Sequence, residues 1–551
     1  MAQTRSVRRS LWAPAALAAA SALLLSACSG GTSKGAGDTS GNQLLTIPRE
    51  DVSTFTKNFN PFAPTPTPLT QQAIYESMLV YNPVDGKTTP WLATKWEVAK
   101  DGRSITYTLR DKVTWSDGQP LTASDVAYTF ELKKKLRGGT EYLDKVETPD
   151  PHTAVFTFNK PFSPGLYDLG QQVIVPKHIW SKISDQAKFT NPDPVGTGPY
   201  TEVAKFQTQS FELDKNPRYW QPEKQHIAGI RVLAFAGNDA ANLATISGDT
   251  DWGSQYIPNI EKSFIAKNPK NHHYFYPTTG AMIDWQMNTT KAPFDKVEVR
   301  KALSMAIDRE TITKVGMSGY TKPADCTGLA GGYDTWRDAS LVASCDWTKF
   351  DADAAGKALD AAGYPKGSDG KRKLNFSISV GSESSDWLSV ANVISQNLKK
   401  VGVTATVKSP AWSAVVASYE DGSFDTGIVW SNNDPTPYQF YRGMMSKAML
   451  KPVGTQATDN YHRFSDPKAD QLLDEFAAAP DESSQKAALN KLQALYSELA
   501  PVVPLFPGPV WGEYNDSRFS GWPTQSNPYA PLTDRGATTV LVLTTLQPVK
   551  K

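Results

Sequence analysis

Polar and apolar positions alternate most clearly over Ser104–Arg110, where the sequence reads SITYTLR. Because successive side chains of a strand point to opposite faces, this pattern predicts a strand with one buried face. Thr122 and Asp125 follow with the three-residue spacing of a helix capping box. They predict a helix that begins there and runs to about Lys135.

Helical periodicity replaces alternation in the second half of the chain. Asp295 and Glu298 repeat the capping spacing and are expected to open a helix. Two amphipathic helices are predicted at Ala469–Phe476 and Ser483–Leu499, with a strand at Val502–Phe506 after them. Strand-like and helix-like segments thus intermix throughout, which predicts an α/β fold. The apolar stripe of the helix after Asp295 is formed by Val299, Ala302, Leu303, Ala306 and Ile307.

The N-terminal sequence indicates export. Three arginines among the first nine residues precede a short apolar run over Leu11–Leu25. This run is shorter than the roughly 20 apolar residues that span a bilayer, so residues 1–27 are predicted to be a secretory signal peptide. Leu-Ser-Ala directly before Cys28 matches the cleavage site of bacterial lipoproteins, which implies a lipid on Cys28. Ordinary secretion with an incidental cysteine is the alternative.

Residues 28–43 are therefore expected to be the lipidated cysteine and a flexible tether, since residues 29–43 are mostly Gly, Ser, Thr, Ala and isolated charges. No later segment has 18 consecutive apolar residues. The sequence thus predicts membrane attachment through the N-terminal lipid only, on the outer face of the cell membrane. In a cell with an outer membrane that location is the periplasm.

The charge balance argues against a nucleic-acid partner. Without the three signal-peptide arginines, 54 basic side chains face 56 acidic ones, and no basic block occurs. The motifs GxxxxGK[ST] and HExxH are absent, and the one GxSxG match, at residues 31–35, lies in the Gly- and Ser-rich stretch of the expected tether. The sequence therefore does not predict an ATPase subunit, a zinc protease or a serine hydrolase of those types. A glycosidase-like pair of carboxylates stays open as an alternative. We expect no enzymatic activity and no cofactor.

Cys326 and Cys345 are the cysteines that remain after Cys28. Outside the cell such a pair is expected to form a disulfide, worth about 3 kcal/mol for a loop of this size. There is no CxxC motif, and of the six histidines only His272 and His273 are adjacent. Neighbours on a strand face opposite sides, so no metal site is predicted.

A series of short motifs, in a fixed order, resembles the family 5 extracellular solute-binding proteins, which are oligopeptide, dipeptide, nickel and oligosaccharide receptors of ABC importers. Each motif is weak alone, but their order extends over most of the mature chain. Ala73–Tyr81 looks like a helix of the family. The motifs are Ala73–Tyr81, Pro90–Trp96, Asp101–Gly102 with Leu109–Arg110, Trp115–Val126, Gly196–Tyr200, Asn216–Trp220, Val299–Leu303 and Ala306–Arg309.

The resemblance implies two α/β lobes joined by a hinge, with an extra subdomain on the first lobe and the ligand between the lobes. We place a discontinuous lobe I at residues 44–69, 186–290 and 505–551. The extra subdomain takes residues 70–185, and lobe II takes residues 291–504. The implied partners are a small-molecule ligand and ABC permease subunits with their ATPase, and the protein is expected to be a monomer.

Five tryptophans in polar, irregular stretches are the candidates for lining the cleft. An indole offers a flat apolar face to a sugar or a peptide side chain and an N–H for hydrogen bonding. Core packing is the alternative for each of them. The candidates are Trp252, Trp285, Trp412, Trp430 and Trp511.

The stretch Trp430–Tyr438 bears most directly on the ligand. It resembles the segment of peptide-binding members in which an Asp after a Trp pairs with the peptide amino group. Asn432 and Asn433 are the nearest equivalents here, and Asp434 is the alternative. An amide cannot form an ion pair with an ammonium group, but it donates to and accepts from hydroxyls.

We therefore expect a short β-linked oligosaccharide as the ligand, with an oligopeptide as the runner-up. Asn60 is a further candidate for the cleft, although it also fits a turn before Pro61. A lipid-anchored sensor and a secreted glycoside-acting enzyme are the alternatives to transport.

Overall fold

A computed structural model describes residues 43–329, 331–431 and 434–550. The predicted signal peptide, Cys28 and the tether up to residue 42 lie outside the described residues. Asn432 and Asn433 also lie outside them.

The strands of the described residues range from two to ten residues in length. In chain order they are β1 (Leu44–Arg49), β2 (Asp51–Val52), β3 (Leu79–Tyr81), β4 (Thr88–Pro90), β5 (Ala93–Val98), β6 (Ser104–Leu109), β7 (Leu143–Asp150), β8 (Thr153–Phe158), β9 (Tyr200–Phe206), β10 (Ser210–Lys215), β11 (Gly229–Ala236), β12 (Trp252–Gly253), β13 (His272–Tyr274), β14 (Thr278–Met287), β15 (Asn375–Ser379), β16 (Thr404–Lys408), β17 (Thr426–Trp430), β18 (Val503–Pro509), β19 (Glu513–Asn515), β20 (Phe519–Ser520) and β21 (Gln547–Pro548).

The α-helices are interspersed among these strands. They are α1 (Ala123–Leu136), α2 (Gly165–Gly170), α3 (Lys177–Trp180), α4 (Asn238–Ser247), α5 (Ile260–Ser263), α6 (Val297–Met305), α7 (Arg309–Thr311), α8 (Ala339–Ser344), α9 (Ala352–Ala361), α10 (Ser385–Lys400), α11 (Trp412–Asp421), α12 (Tyr438–Met445), α13 (Pro467–Ala478), α14 (Glu482–Leu499) and α15 (Thr539–Leu543).

The strongest local patterns are confirmed. The alternating segment forms β6, in which the apolar positions are buried and the polar ones are half-buried. Thr122 and Asp125 make the capping box at the start of α1, where the Thr122 N–H donates to Asp125 Oδ2 at 2.8 Å. The two amphipathic helices of the C-terminal half are α13 and α14, and the strand after them is β18.

Two local predictions need correction. The helix expected at Asp295 is present, and its predicted apolar residues are buried, but it begins at Val297, with Lys296 in extended backbone before it. Ala73–Tyr81 is not a helix: β3 begins at Leu79, and the backbone before it bonds to distant segments. The N–H of Gly198 donates to the carbonyl of Ile74, for example, at 2.9 Å.

Two large sheets organise the fold. In the first, β1 is parallel to β11, which continues antiparallel to β10 and β9. In the second, the order is β16-β15-β17-β14-β18, with β14 antiparallel to both of its neighbours. A separate sheet of order β5-β6-β8-β7 carries α1 on one face.

Each large sheet has its own hydrophobic core. The first core includes Leu45 and Ile230 of the first sheet and reaches through the β5–β8 sheet to helices α12–α14. The second core surrounds β14–β18 with α6, α9 and α10. Separate cores under separate sheets are what a mixed α/β fold of two lobes requires. The exact lobe boundaries stay a prediction.

A disulfide joins Cys326 and Cys345, whose Cα atoms are 6.4 Å apart. It lies in a small cluster with Trp347 and Ala500. Among the described residues, no helix is at once long and apolar enough to cross a membrane.

Candidate ligand-binding cleft

A cavity of about 500 Å³ opens between elements of the two cores. From the side of the first core it is lined by Glu50 and Asp51 after β1 and by Asn238 at the start of α4. From the side of the second core it is lined by the first turns of α10 and α11 and by the ends of β17 and β18. A concave site of this size, walled by aromatic rings and a few polar groups, is the usual form of a small-molecule pocket.

Aromatic rings form much of the wall. Trp387 and Trp412 meet edge to face with ring centroids 5.9 Å apart. Trp430 ends β17 and leaves 40% of its surface exposed. Its ring lies over Gly508, where a Cβ would overlap it. The aromatic residues that line the cavity are Tyr81, Tyr256, Trp387, Trp412, Trp430 and Trp511.

Three of the five predicted tryptophans are brought together here, namely Trp412, Trp430 and Trp511. The other two do not line this cavity. Trp252 is fully buried in the first core, where its ring meets Trp522 at 6.0 Å. Trp285 is fully buried in the second core on β14, paired in register with Ile428.

Asn60 also lies in the protein interior rather than in the cavity. It is 1% exposed, and its amide donates to the carbonyls of Gln186 at 3.0 Å and Phe189 at 2.8 Å. Its side-chain oxygen accepts from the N–H of Phe62 at 2.8 Å. With these bonds the side chain fixes a turn, the alternative expected from the sequence.

Sequence reasoning missed Trp387, Tyr256 and Tyr81, which also line the cavity. Trp387 follows the polar stretch Gly381–Asp386. This is the same kind of context that singled out the other tryptophans, so the signal was present. The two tyrosines have no such context, and only their position in the fold brings them to the cleft.

Two carboxylates of the cavity lining form ion pairs with an arginine side chain of the same lining. Arg535 contacts Glu50 at 2.6 Å and Asp51 at 3.4 Å. Arg49, which lies behind them, contacts Asp51 at 2.8 Å and Asp534 at 3.0 Å. Arg535 is thus the one cation among the described residues that line the cavity, and carboxylates of the protein already surround it.

Glu383 and Asp386 are the other acidic residues of the lining. Glu383 accepts the backbone N–H of Trp412 at 2.9 Å, which fixes the first turn of α11. Burial raises the pKa of Asp386 to about 6, and the nearby Glu50 acts in the same direction. Burial also raises the pKa of Glu50. The site therefore offers carboxyl oxygens that suit hydroxyl ligands.

Asp434, the remaining sequence candidate, lines a different and smaller cavity of about 170 Å³. Burial raises its pKa to about 7, and Asp168 acts in the same direction, whereas Lys133 and Arg442 lower it. The hydroxyl of Tyr333 donates to its backbone carbonyl at 2.6 Å.

We expect Asp434→Asn to raise the free energy of unfolding more at about pH 8 than at about pH 5. The raised pKa means that the native state holds this proton to higher pH than the unfolded chain does. Stability therefore falls as pH rises from about 4 to about 7, and asparagine removes that part of the fall. Urea unfolding of both proteins at the two pH values measures the difference. An equal change in the free energy of unfolding at both pH values would contradict the raised pKa of Asp434.

The sequence comparisons agree with this architecture. Residues 87–450 match the sequence profile described as bacterial extracellular solute-binding proteins, family 5 middle. The chain belongs to this family. One relative, Protein XP55 of Streptomyces lividans, is 26% identical to this chain over 414 residues, and the match covers 72% of each chain. The periplasmic murein peptide-binding protein MppA of Escherichia coli is 24% identical over 450 residues, covering 76% of this chain and 80% of MppA.

A solved structure superposes on nearly the whole family 5 chain. It is the mannohexaose-bound periplasmic oligopeptide-binding protein from Thermotoga maritima, with a TM-score of 0.86 and 25% sequence identity. The match covers 93% of this chain and 99% of that one. This family 5 protein therefore has the two-lobed α/β fold of periplasmic binding proteins, with its aromatic cavity between elements of the two cores.

Proposed function

We propose that this protein is the substrate-binding subunit of an ABC importer and that it captures a short, neutral, β-linked oligosaccharide without transforming it. The observation that carries the proposal is the cavity of about 500 Å³ with Trp387, Trp412, Trp430 and Trp511 in its wall. Flat indole faces fit the C–H faces of pyranose rings, and the indole N–H and carboxyl oxygens fit the hydroxyls. The Thermotoga maritima protein with bound mannohexaose supports the same ligand class.

The charges of the lining also favour a neutral ligand. A peptide with free termini presents a carboxylate that needs a cationic partner. Arg535, the cation of the described lining, is held by Glu50, Asp51 and, at 3.7 Å, Asp534. Recruiting it would leave buried carboxylates without their counter-charge, which is costly. A sugar makes no such demand.

An oligopeptide is the second candidate. MppA, by its name, binds murein peptides, and the cavity carries acidic residues that could receive an amino group. Asp434, the amine partner expected for a peptide, lines the smaller cavity instead. That placement supports the preference for a sugar.

The mechanism we propose is capture by closure. Ligand contacts made from both sides of the cavity favour the closed arrangement of the two lobes, because only that arrangement makes all of them. Lobe I would comprise residues 44–69, 186–290 and 505–551, except that β14 and β18 pair in the second sheet. The extra subdomain would take residues 70–185 and lobe II residues 291–504. The closed form would then dock, as a monomer, on permease subunits, and ATP would be hydrolysed by their ATPase.

The function is tested by a thermal-shift screen of the purified protein without its first 42 residues. The panel sets cello-, xylo- and manno-oligosaccharides against di- to pentapeptides. A ligand at 100 times its dissociation constant stabilises the protein by about 2.7 kcal/mol. We expect β-linked sugars to stabilise and peptides to have no effect. Stabilisation by peptides alone would overturn the sugar assignment and leave the importer assignment standing.

We also propose that lipid on Cys28 anchors the protein, on the strength of the Leu-Ser-Ala-Cys sequence after the apolar run. Cys28→Ser is expected to remove the lipid attachment and release the protein into the soluble fraction. Incorporation of labelled palmitate and membrane fractionation measure both effects. Labelling that persists in the variant would refute the anchor.

A further inference from the structure

A second cavity, of about 520 Å³, lies beside the first and is not used in the mechanism above. Its described lining comes from the end of β13 and the link to β14, from the loop before β4, from Tyr320 and from the C-terminal segment. No charged side chain occurs among its described lining residues. They are Val84, Tyr274, Phe275, Tyr276, Pro277, Tyr320, Gln525 and Pro528.

The tyrosine rings of this second cavity are held in place by their hydroxyls. Tyr274 donates to Glu261 at 2.9 Å, Tyr320 donates to the Ile257 carbonyl at 3.1 Å, and Tyr276 donates to Glu513. The rings of Tyr274 and Tyr276 lie 4.9 Å apart. Aromatic faces fixed in this way bind a ligand with little further loss of side-chain entropy.

The ring of Trp511 lies between the linings of the two cavities. Trp511 lines the first, where its ring meets Tyr256 at 5.4 Å. On the other side the same ring meets Tyr276 at 4.9 Å and Tyr320 at 5.8 Å, and both of these line the second cavity.

The backbone that separates the cavities is shared as well. Pro83 lines the first cavity and Val84, the next residue, lines the second. The N–H of Val510, a residue of the first lining, donates at 2.8 Å to the carbonyl of Pro277, a residue of the second. The two linings are thus in contact through one ring and one layer of backbone.

We propose that the second cavity is an outer sugar subsite, which takes the terminal rings of an oligosaccharide whose other rings occupy the first cavity. This inference rests on the proposed function and adds a preference for longer chains. Tyrosine and proline faces pack on pyranose rings, and the exposed Gln525 amide serves their hydroxyls. The lack of charge in the described lining fits a neutral glycan segment.

Tyr274→Ala tests the subsite, because Tyr274 is 38% exposed and its hydroxyl bonds to the exposed side chain of Glu261. Gln525→Ala is a second variant at an exposed position. Phe350→Ala is the control, since Phe350 is also exposed but lines neither cavity. Calorimetric titration of each protein with the series from cellobiose to cellohexaose gives affinity against chain length.

In the wild-type protein, affinity is expected to rise with chain length until the sugar fills both cavities. Tyr274→Ala should weaken binding of the longest chains by about 2- to 10-fold, as expected for the loss of one aromatic contact, and leave cellobiose unchanged. The outcome that overturns the subsite is that wild type binds the series, but the variants change the affinity for no chain length or for all lengths equally. The proposed function then still stands. If wild type binds no sugar, the proposed function fails and the subsite with it.

Discussion

Replacing Trp430 with alanine is expected to weaken oligosaccharide binding by about 30-fold or more, the loss typical of a central aromatic anchor. Trp430 presents the most exposed indole of the first cavity, and its ring rests on Gly508. Because so much of the ring is open, the fold depends on it little. The loss of stability should fall well below the 3–5 kcal/mol typical of truncating a fully buried tryptophan such as Trp285.

Gly508→Ala tests the same ring without removing it. The new methyl group would overlap the six-membered ring of Trp430 and force it out of place. We therefore expect affinity to fall in Gly508→Ala as well, whereas Phe350→Ala should bind as wild type does. Calorimetric titration and urea unfolding of the three variants separate binding from stability. Unchanged affinity in Trp430→Ala would show that the Trp430 indole does not bind the ligand.

Replacing Arg49 with methionine should lower the free energy of unfolding by about 3–5 kcal/mol, the usual cost of breaking a buried ion pair. Arg49 holds Asp51 through two of its nitrogens and holds Asp534, whose side chain is fully buried. Arg49 keeps the pKa of Asp51 well below its usual value despite the burial of that carboxylate. Without Arg49, only Arg535 would remain to balance this cluster of acids.

Lys57→Met is the matched control. It removes an ion pair of similar length, 3.0 Å, whose acidic partner Asp193 is largely exposed. Exposed pairs contribute up to about 1 kcal/mol, so the control should change little. Urea unfolding of both variants at one pH gives the comparison. Equal losses in the two variants would show that the buried cluster under the cavity is not a special source of stability.

The sequence predictions that are confirmed rest on local patterns of residues. The strand β6 and the capping box of α1 depend on residues within a few positions of one another, so neighbouring sequence decides them. The start of α6 was misplaced because Asp295 belongs to a turn before the helix, in which its backbone N–H donates to the Lys291 carbonyl at 3.3 Å. Ala73–Tyr81 failed as a helix because its backbone bonds to distant segments, such as the loop at Gly198.

There is a physical reason why three of the five predicted tryptophans line the cavity and two lie in the cores. Polar neighbours were the signal for a cleft, yet polar groups also occur inside a protein when they are paired. Next to Trp252, Asp251 accepts the N–H of Thr46 at 2.8 Å and contacts Arg518 at 3.2 Å. Those bonds, and the position of Trp285 inside a five-stranded sheet, depend on tertiary contacts that spacing along the chain does not encode.

The acidic cluster shows the same limit. Arg49 and Asp534 are 485 residues apart in sequence and 3.0 Å apart in space. Composition showed a near balance of acids and bases, but only the fold pairs them below the cavity. The same cluster holds Arg535, the cation of the described lining, through Glu50 and Asp534. In the proposed function this pairing is what disfavours a peptide carboxylate.

A crystal structure of the protein with cellotetraose tests the central claim most directly. A pyranose ring is expected in the first cavity, stacked on Trp430 or Trp412, with its hydroxyls within hydrogen-bond distance of Glu383 or Asp386 and the sugar intact. A sugar cleaved in the crystal would contradict the assignment as a binding protein. A first cavity that is empty at saturating cellotetraose but holds a peptide when one is supplied would contradict the proposal. The ligand would then be a peptide and not an oligosaccharide.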